Sequence, residues 1–249
     1  MGVNVLLALQ TWQEIEAYLN RSKGIVIPIG STEQHGPNGL MGTDAICPER
    51  IAHGMAEKID TLIAPTIAYG MSQHHMAFAG TISLKPATLV ALVLDVVESL
   101  AHHGFSHFYF LNGHGGNIAP VTTAFGELYA RASMRERSGL RCKLMNWWLG
   151  PNIKALADEL FGAAEGMHAT ASEVSLSYFA YPEAVKQVDM KPGPAKAGKF
   201  YDALDFRSKF PDGRVGSDPS QASIVSGAKL FDIAVAEAVA DYTSFIKST

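Results

Sequence analysis

Apolar residues recur along this chain in two alternating rhythms. Short runs rich in branched and aromatic side chains, such as Gly24-Ile-Val-Ile-Pro-Ile-Gly30 and His107-Phe-Tyr-Phe-Leu111, stop at glycine or turn residues and read as strands buried on both faces. Between them the apolar positions take helical spacing, first at Ile51, Met55 and Ile59, then at Leu89, Val93, Val96, Val97 and Leu100. The pattern predicts strands over 24–30, 61–69, 107–111 and 141–147. It predicts helices opening at Pro48 and Pro86, where the fixed φ of proline suits a first turn, the second ending at Gly104. Further helices are expected over 118–137, 172–179 and 222–247. An apolar run over 3–9 and an amphipathic helix over 12–18 come first; with no positive residue before the run and no small-residue cleavage site after it, we expect structure rather than an export signal. Residues 189–220 turn rich in Pro, Gly, Lys and Asp and lose their periodicity, which predicts a long loop, ordered or mobile.

Repeated strand–helix units imply parallel strands joined by right-handed crossovers, hence a three-layer α/β/α sandwich with a mainly parallel central sheet, in one domain over 1–249. Ligands in such sheets bind beyond the carboxyl ends of the strands. The segments that follow predicted strand ends carry Glu33 and His35, residues 69–75 with Ser72, His114 to Asn117, and Trp147 with Trp148, so topology gathers them at one edge.

Composition narrows the function. Hydrophobic residues make up 47% of 249 positions, enough for a sizeable core. The net charge of -4, with no basic patch interleaved with aromatics, argues against nucleic acid or an acidic membrane surface as partner. The most apolar long stretch, 87–101, contains Asp95 and Glu98 and is no membrane span. Cys47 and Cys142 form neither a CxxC pair nor a disulfide framework, which suits a reducing, cytoplasmic setting.

Candidate chemistry is concentrated after the first and third strands. Glu33-Gln34-His35-Gly36, followed by Asp44, places three potential metal ligands within twelve residues, and His114 stands in Leu111-Asn-Gly-His-Gly-Gly-Asn117. Imidazole mixed with carboxylate suits zinc and similar divalent ions, and an aspartate with two oxygens can bridge a pair of them. A single carboxylate here would more often accept a turn hydrogen bond or cap a helix, and a single loop histidine would bond to backbone. A phosphate cradle would need the GxGxxG spacing or a P-loop lysine, and the sequence has neither. Four potential metal ligands after two converging strands favour a metal. In a third segment, 165–173, His168 sits in a small-residue loop where it can carry a proton, and Glu173 in a first helical turn can ligate a metal or orient that histidine. The plain alternative is an N-cap by Ser172 with Glu173 merely favouring the helix dipole. Adjacent His74 and His75 cannot both face one site from a strand, so one is expected to pack or lie at the surface; His53, His102, His103 and His107 read as structural.

Pro28-Ile-Gly-Ser-Thr-Glu-Gln-His-Gly-Pro37, Gly42-Thr-Asp44, Gly80-Thr81, Asn112-Gly-His-Gly-Gly-Asn117, His168 with Glu173 and Ser175, and Gly216-Ser-Asp-Pro219 before Ala222-Ser223 resemble the creatininase (creatinine amidohydrolase) family, collinearly over nearly the whole chain. The resemblance implies a three-layer α/β/α fold, usually in a homo-oligomer, a hexamer, with a binuclear zinc or manganese centre and Fe2+ as a further option. It places ligands at Glu33, His35, Asp44 as bridge, and His114, proton transfer at His168, and a carboxylate near the metals at Glu173. The expected reaction is hydrolysis of a C–N bond in a small cyclic amide or formamide by metal-activated water, with Ser72, Gly115, Gly116 and Trp147 toward the substrate and the N–H groups of Gly115 and Gly116 holding the oxyanion. A metal-assisted lyase or isomerase and a non-catalytic metal-binding subunit are the alternatives. Two departures bear on substrate. Creatininases carry a tyrosine and a metal-binding glutamate where this chain has Gly115 and Gly116, so one ligand of the second ion is missing unless Glu173 or water replaces it. The tryptophan expected shortly before His168 is also absent from Ala163, Ala164 and Glu165. Relatives with the glycine version act on other small amides, including formamidopyrimidine intermediates and peptide ends.

Overall fold

The computed structural model describes residues 5–134 and 139–247. Strands β1 (Gly24–Ile29), β2 (Leu62–Ile63), β3 (His107–Asn112) and β4 (Arg141–Asn146) form one parallel sheet in the order β2-β1-β3-β4. Ile29, Asn112 and Asn146 stand in register, so the three long strands end level. Side chains alternate across the sheet as the two-residue period of a strand requires. Ile25, Ile27, Ile29, Phe108 and Phe110 pack on the layer of α1 (Trp12–Leu19), α3 (Pro86–His102) and α4 (Ile118–Met134), while Val26, Tyr109 and Leu111 pack on that of α2 (Thr43–Ala56), α5 (Pro151–Phe161), α6 (Ala171–Ala180) and α8 (Ile224–Lys247). This is the expected three-layer sandwich.

The differences from expectation have local causes. Helix α2 opens at Thr43, five residues before Pro48, so the proline lies inside it. Having no N–H, Pro48 gives nothing to the carbonyl of Asp44. That carbonyl instead wedges against the glycines that follow β1 and β3: a Cβ on Gly30 or Gly113 would come within 2.1 or 2.0 Å of it. The close approach brings the first turn of α2 onto both strand ends. The strand expected over 61–69 shrinks to Leu62–Ile63 because Pro65 cannot donate to the ladder; pairing resumes where Ile67 N–H donates to the Pro28 carbonyl at 2.9 Å. Helix α5, not flagged by the pattern, buries Ile153, Ala157 and Phe161 at four-residue spacing after Pro151. Residues 189–220 are ordered: α7 (Ala203–Lys209) lies among them, Phe206, Phe210 and Val215 form a small core with Phe78 and Phe200, and the buried Arg214 grips Asp212 through Nε at 2.9 Å and Nη2 at 2.8 Å. The expected helix end at Arg137 and residues 3 and 4 of the N-terminal run lie outside the described residues. No helix among the described residues is long and apolar enough to cross a membrane.

Candidate metal centre

From β1 the chain crosses to β2 on one side and returns over it to β3 on the other, so β1 and β3 flank the switch point where ligands bind in open α/β sheets. The loop after β1 delivers Glu33 and His35, the first turn of α2 delivers Asp44, and the turn after β3 delivers His114; all four are buried. Asp44 faces two ways. Its Oδ1 lies 2.9 Å from His35 Nε2 and its Oδ2 2.9 Å from His114 Nδ1. Glu33 Oε1 lies 3.4 Å from His114 Nδ1 and 3.8 Å from His168 Nδ1, and Glu173 Oε1 is 4.0 Å from His35 Nε2. Two triads with ligand atoms no more than 4.8 Å apart, Glu33/Asp44/His114 and His35/Asp44/Glu173, thus share Asp44, and a third joins Glu33, His35 and His168.

The residues present fit a cation. Both oxygens of Glu33 and Oδ2 of Asp44 are buried with no donor in hydrogen-bond geometry among the described residues. Buried carboxylate oxygens without partners are costly, and a cation removes the cost. The histidines are prepared in the same sense. His35 Nδ1 lies 3.1 Å from the Glu33 carbonyl, His114 Nε2 3.0 Å from the Met71 carbonyl and His168 Nε2 2.9 Å from the Gln34 carbonyl. Carbonyls only accept, so each far nitrogen carries the hydrogen, and in the neutral ring the near nitrogen turns a lone pair inward, as metal-ligating histidines do.

Electrostatics follow from this packing. Burial and the neighbouring Asp44 push the Glu33 carboxyl up, but the charge of His114 and the contact with the His75 ring outweigh them and hold the group at about 2. Asp44 is likewise lowered, burial being outweighed by His35 and His114. Burial lowers His35, yet Asp44, Glu173 and Glu33 raise it to about 10; His114 goes to about 9, burial being overcome by Glu33 and Asp44. Without a cation, then, the centre holds protons on its histidines that a metal would displace. His168 is driven well below the ordinary histidine value by burial and by His75 and His35, and Glu173 rises to about 7, chiefly through burial.

Glu173 has a second task. Thr170 N–H donates to Glu173 Oε1 at 2.6 Å and Glu173 N–H donates to Thr170 Oγ1 at 3.2 Å, a capping box. The N-cap is therefore Thr170, not Ser172, which instead bonds Glu165 through its N–H at 3.1 Å and through its hydroxyl. The His168 loop is pinned by a bridge to Val215 and by the Ser217 hydroxyl, which donates to the His168 carbonyl at 2.6 Å. Ala169, with φ of +53°, is the one non-glycine residue in the left-handed region among those described, and strain of this kind gathers at functional sites.

A cleft of about 330 Å3 runs from Asp44, His114, His168 and Glu173 past Gly115 and Trp147 to a rim at Trp148, Lys154 and Met167. Its volume falls in the range of roughly 300 to 1,000 Å3 usual for small-ligand sites. The six residues expected to form the centre, Glu33, His35, Asp44, His114, His168 and Glu173, do meet. Ser72 lies behind His114, its Oγ 3.3 Å from Nε2, and Gly116 presses on His114 and Met71 rather than on the cleft. Two neighbours were not singled out from sequence. Gln34, between two candidate ligands, turns its amide onto His75, and His75 Nε2 lies 3.2 Å from Glu33 Oε1 with its ring stacked 4.2 Å from that of His168. The pair His74 and His75 sits in a one-turn 3-10 helix, Gln73–His75, in which successive side chains diverge by about 120°; only His75 turns inward, while His74 packs on Phe200 and Phe206.

The family model Creatininase, described as creatinine amidohydrolase, matches residues 8–242. The mycofactocin precursor peptide peptidase of Mycobacterium tuberculosis (strain CDC 1551 / Oshkosh) is 38% identical over 131 residues, 49% of this chain and 51% of the peptidase, so the match spans about half the length of that relative. The creatinine amidohydrolase of Pseudomonas putida is 27% identical over 197 residues, 74% of this chain and 75% of that protein. A solved structure described as Creatininase Mn shares the fold with a TM-score of 0.86 at 24% identity, over 99% of this chain and 100% of that one.

Proposed function

The chain belongs to the creatininase family of hydrolases, and from that membership we propose that it is a metal-dependent amidohydrolase cleaving a C–N bond of a small cyclic amide or formamide at a two-ion centre. The observation that carries the reading is Asp44, whose oxygens each meet a different histidine at 2.9 Å beside a buried Glu33 carboxylate that no donor among the described residues meets in hydrogen-bond geometry, His75 Nε2 facing it at 3.2 Å. Glu33, Asp44 and His114 would hold one divalent ion, and His35, Asp44 and Glu173 the other. Bound there, zinc or manganese supplies a water acidified toward neutrality and polarises the substrate carbonyl.

The chain's own residues do the rest. His168, neutral because burial and neighbouring histidines disfavour its charge, has Nε2–H fixed on the Gln34 carbonyl and presents Nδ1 to the centre. It takes the proton released by the attacking water and gives it to the departing nitrogen. The backbone N–H of Gly115, which lines the cleft, is the donor proposed for the developing oxyanion, while Gly116, expected from sequence to share that role, does not line the cleft. Trp147 walls the cleft, and Ser72 supports His114 from behind. The same proposal includes a small-molecule partner, a homo-oligomer, a hexamer, and a cytoplasmic setting.

A second reading, the end of a peptide as substrate, is favoured by the open cleft. A Cβ on Gly115 would meet nothing within 4 Å, and the rim at Trp148, Lys154 and Met167 offers contacts beyond the reacting bond. One relative is named as a peptidase and another as a creatinine amidohydrolase. Both readings are tested by supplying the protein with zinc or manganese and offering creatinine, formamides and short peptides in 18O-labelled water. Hydrolysis predicts metal-dependent cleavage of the C–N bond with label in the new carboxyl group, giving a separate amine from a formamide or peptide and a single ring-opened product from creatinine; turnover without label would point to a lyase or isomerase instead.

A further inference from the structure

We propose that Gln34 and His75 form a positioning pair that holds the ligand Glu33 by fixing one ring tautomer; the proposal rests on the two-ion reading. The argument begins with the Gln34 amide, whose orientation two backbone groups decide. Gly36 N–H can only donate, and it donates to Oε1 at 2.9 Å; the Gly213 carbonyl can only accept, and it lies 3.0 Å from Nε2. The amide therefore cannot be flipped. One hydrogen of Nε2 goes to Gly213. Two ring nitrogens compete for the other, His75 Nδ1 at 2.9 Å and His168 Nε2 at 2.8 Å. His168 Nε2 is itself a donor, because the Gln34 carbonyl 2.9 Å away can only accept from it. The second amide hydrogen thus goes to His75 Nδ1, and in the neutral ring His75 carries its hydrogen on Nε2, 3.2 Å from Glu33 Oε1.

His75 is in this respect the opposite of its neighbours. His35, His114 and His168 turn lone pairs toward the centre, whereas His75 turns an N–H toward the carboxylate; at 3.2 Å but outside hydrogen-bond geometry the contact still attracts Glu33 electrostatically, and a lone pair there would repel it. The chain of contacts starts in the 189–220 segment. Gly213, at φ of +87°, approaches so closely that a Cβ would lie 1.8 Å from Gln34 Oε1, so the loop sets the amide that sets the ring.

The experiment has two arms. In the first, the full chain with 15N-labelled histidine is examined by two-bond 1H–15N correlation, metal-free and zinc-loaded, with His75→Gln identifying the His75 signals. The proposal expects a protonated Nε2 and a bare Nδ1, reversed in Gln34→Glu, whose carboxylate would demand a hydrogen from Nδ1; a protonated Nδ1 in the parent protein overturns it. In the second, zinc and manganese affinities are measured by chelator competition. His75→Phe keeps the ring stacked on His168 but removes the N–H and should weaken binding by roughly 10- to 100-fold, while His75→Gln, whose Nε2 can take the same place, should stay within about threefold of the parent. Parent-like affinity in a folded His75→Phe overturns the proposal. If the parent binds neither metal, the two-ion reading falls, and the tautomer arm, which needs no metal, still decides the ring.

Discussion

Gly116 and Gly115 are adjacent glycines with opposite prospects. A Cβ at 116 would sit 2.3 Å from the Met71 carbonyl oxygen and 2.5 Å from His114 Nε2, the same two atoms whose 3.0 Å hydrogen bond orients His114. The carbonyl belongs to backbone, and the ring cannot retreat without giving up Asp44 at 2.9 Å. A Cβ at 115 would meet nothing within 4 Å. Overpacking of the first kind costs about 1 to 3 kcal/mol, and in a chain of this size each kcal/mol moves the midpoint by about 2 to 4 °C, so Gly116→Ala should melt roughly 2 to 12 °C lower. Gly115→Ala should melt with the parent. Differential scanning calorimetry in chelator isolates the packing term, and elemental analysis after reloading should show Gly116→Ala short of the ion that His114 helps to hold. Equal midpoints and equal metal content in the two variants would refute the reasoning. The same clash means that the glutamate the family resemblance places at 116 does not fit this backbone, and Glu173 is the carboxylate that shares a candidate ligand group with His35 and Asp44.

Asp44→Ala should empty both metal sites, whereas Glu33→Ala should empty one; full occupancy in purified Asp44→Ala, read by elemental analysis, would sink the shared-ligand role. His168→Ala should keep its metal and lose turnover by roughly 10² to 10⁴, and a variant that instead loses metal would move His168 into the ligand set. In the metal-free protein, His35 and His114 stand at about 10 and about 9 against an ordinary 6.5, so the stability they contribute is full below 6.5 and is lost as pH rises through 9 to 10. Glu33, at about 2 against 4.5, contributes above 4.5 and is lost as pH falls through 2. The chelated protein should therefore melt lower at pH 9.5 than at pH 6, and a flat or rising profile across that window would contradict the assigned charges. Creatinine should be a poor substrate, with kcat/KM well under the usual range of about 10⁴ to 10⁸ M⁻¹s⁻¹, because Gly115 brings no side chain to the cleft; an efficiency inside that range in the zinc- or manganese-loaded protein would restore creatinine.

The layered fold and the centre were legible because both rest on short-range patterns. Ile25, Ile27 and Ile29 alternate with Val26 as a doubly buried strand must, and Glu33, His35, Asp44 and His114 follow strand ends that topology aligns. What escaped depended on contacts between distant residues. Pro48 carries the same helix-start signal wherever it stands, and only the wedge of the Asp44 carbonyl against Gly30 and Gly113 explains a helix that starts five residues earlier. Thr170 and Ser172 are equally good caps on paper, and the reach of Glu173 back to Thr170 N–H decides between them. His75 owes its inward direction to a single 3-10 turn, where the sequence reading places His74 and His75 on a strand. Gln34 stands inside the motif that marks the resemblance, but its role is not legible there, since it comes from Gly213, far along the chain in a segment without periodicity.

The central claim is that Asp44 joins two ions with one oxygen each. Anomalous diffraction from crystals of the protein grown with zinc or manganese tests it most directly. The account predicts two anomalous peaks, one bonded to Oδ1 of Asp44 beside His35 and Glu173, the other to Oδ2 beside His114 and Glu33. A single peak, or two peaks of which one leaves Asp44 untouched, would contradict it.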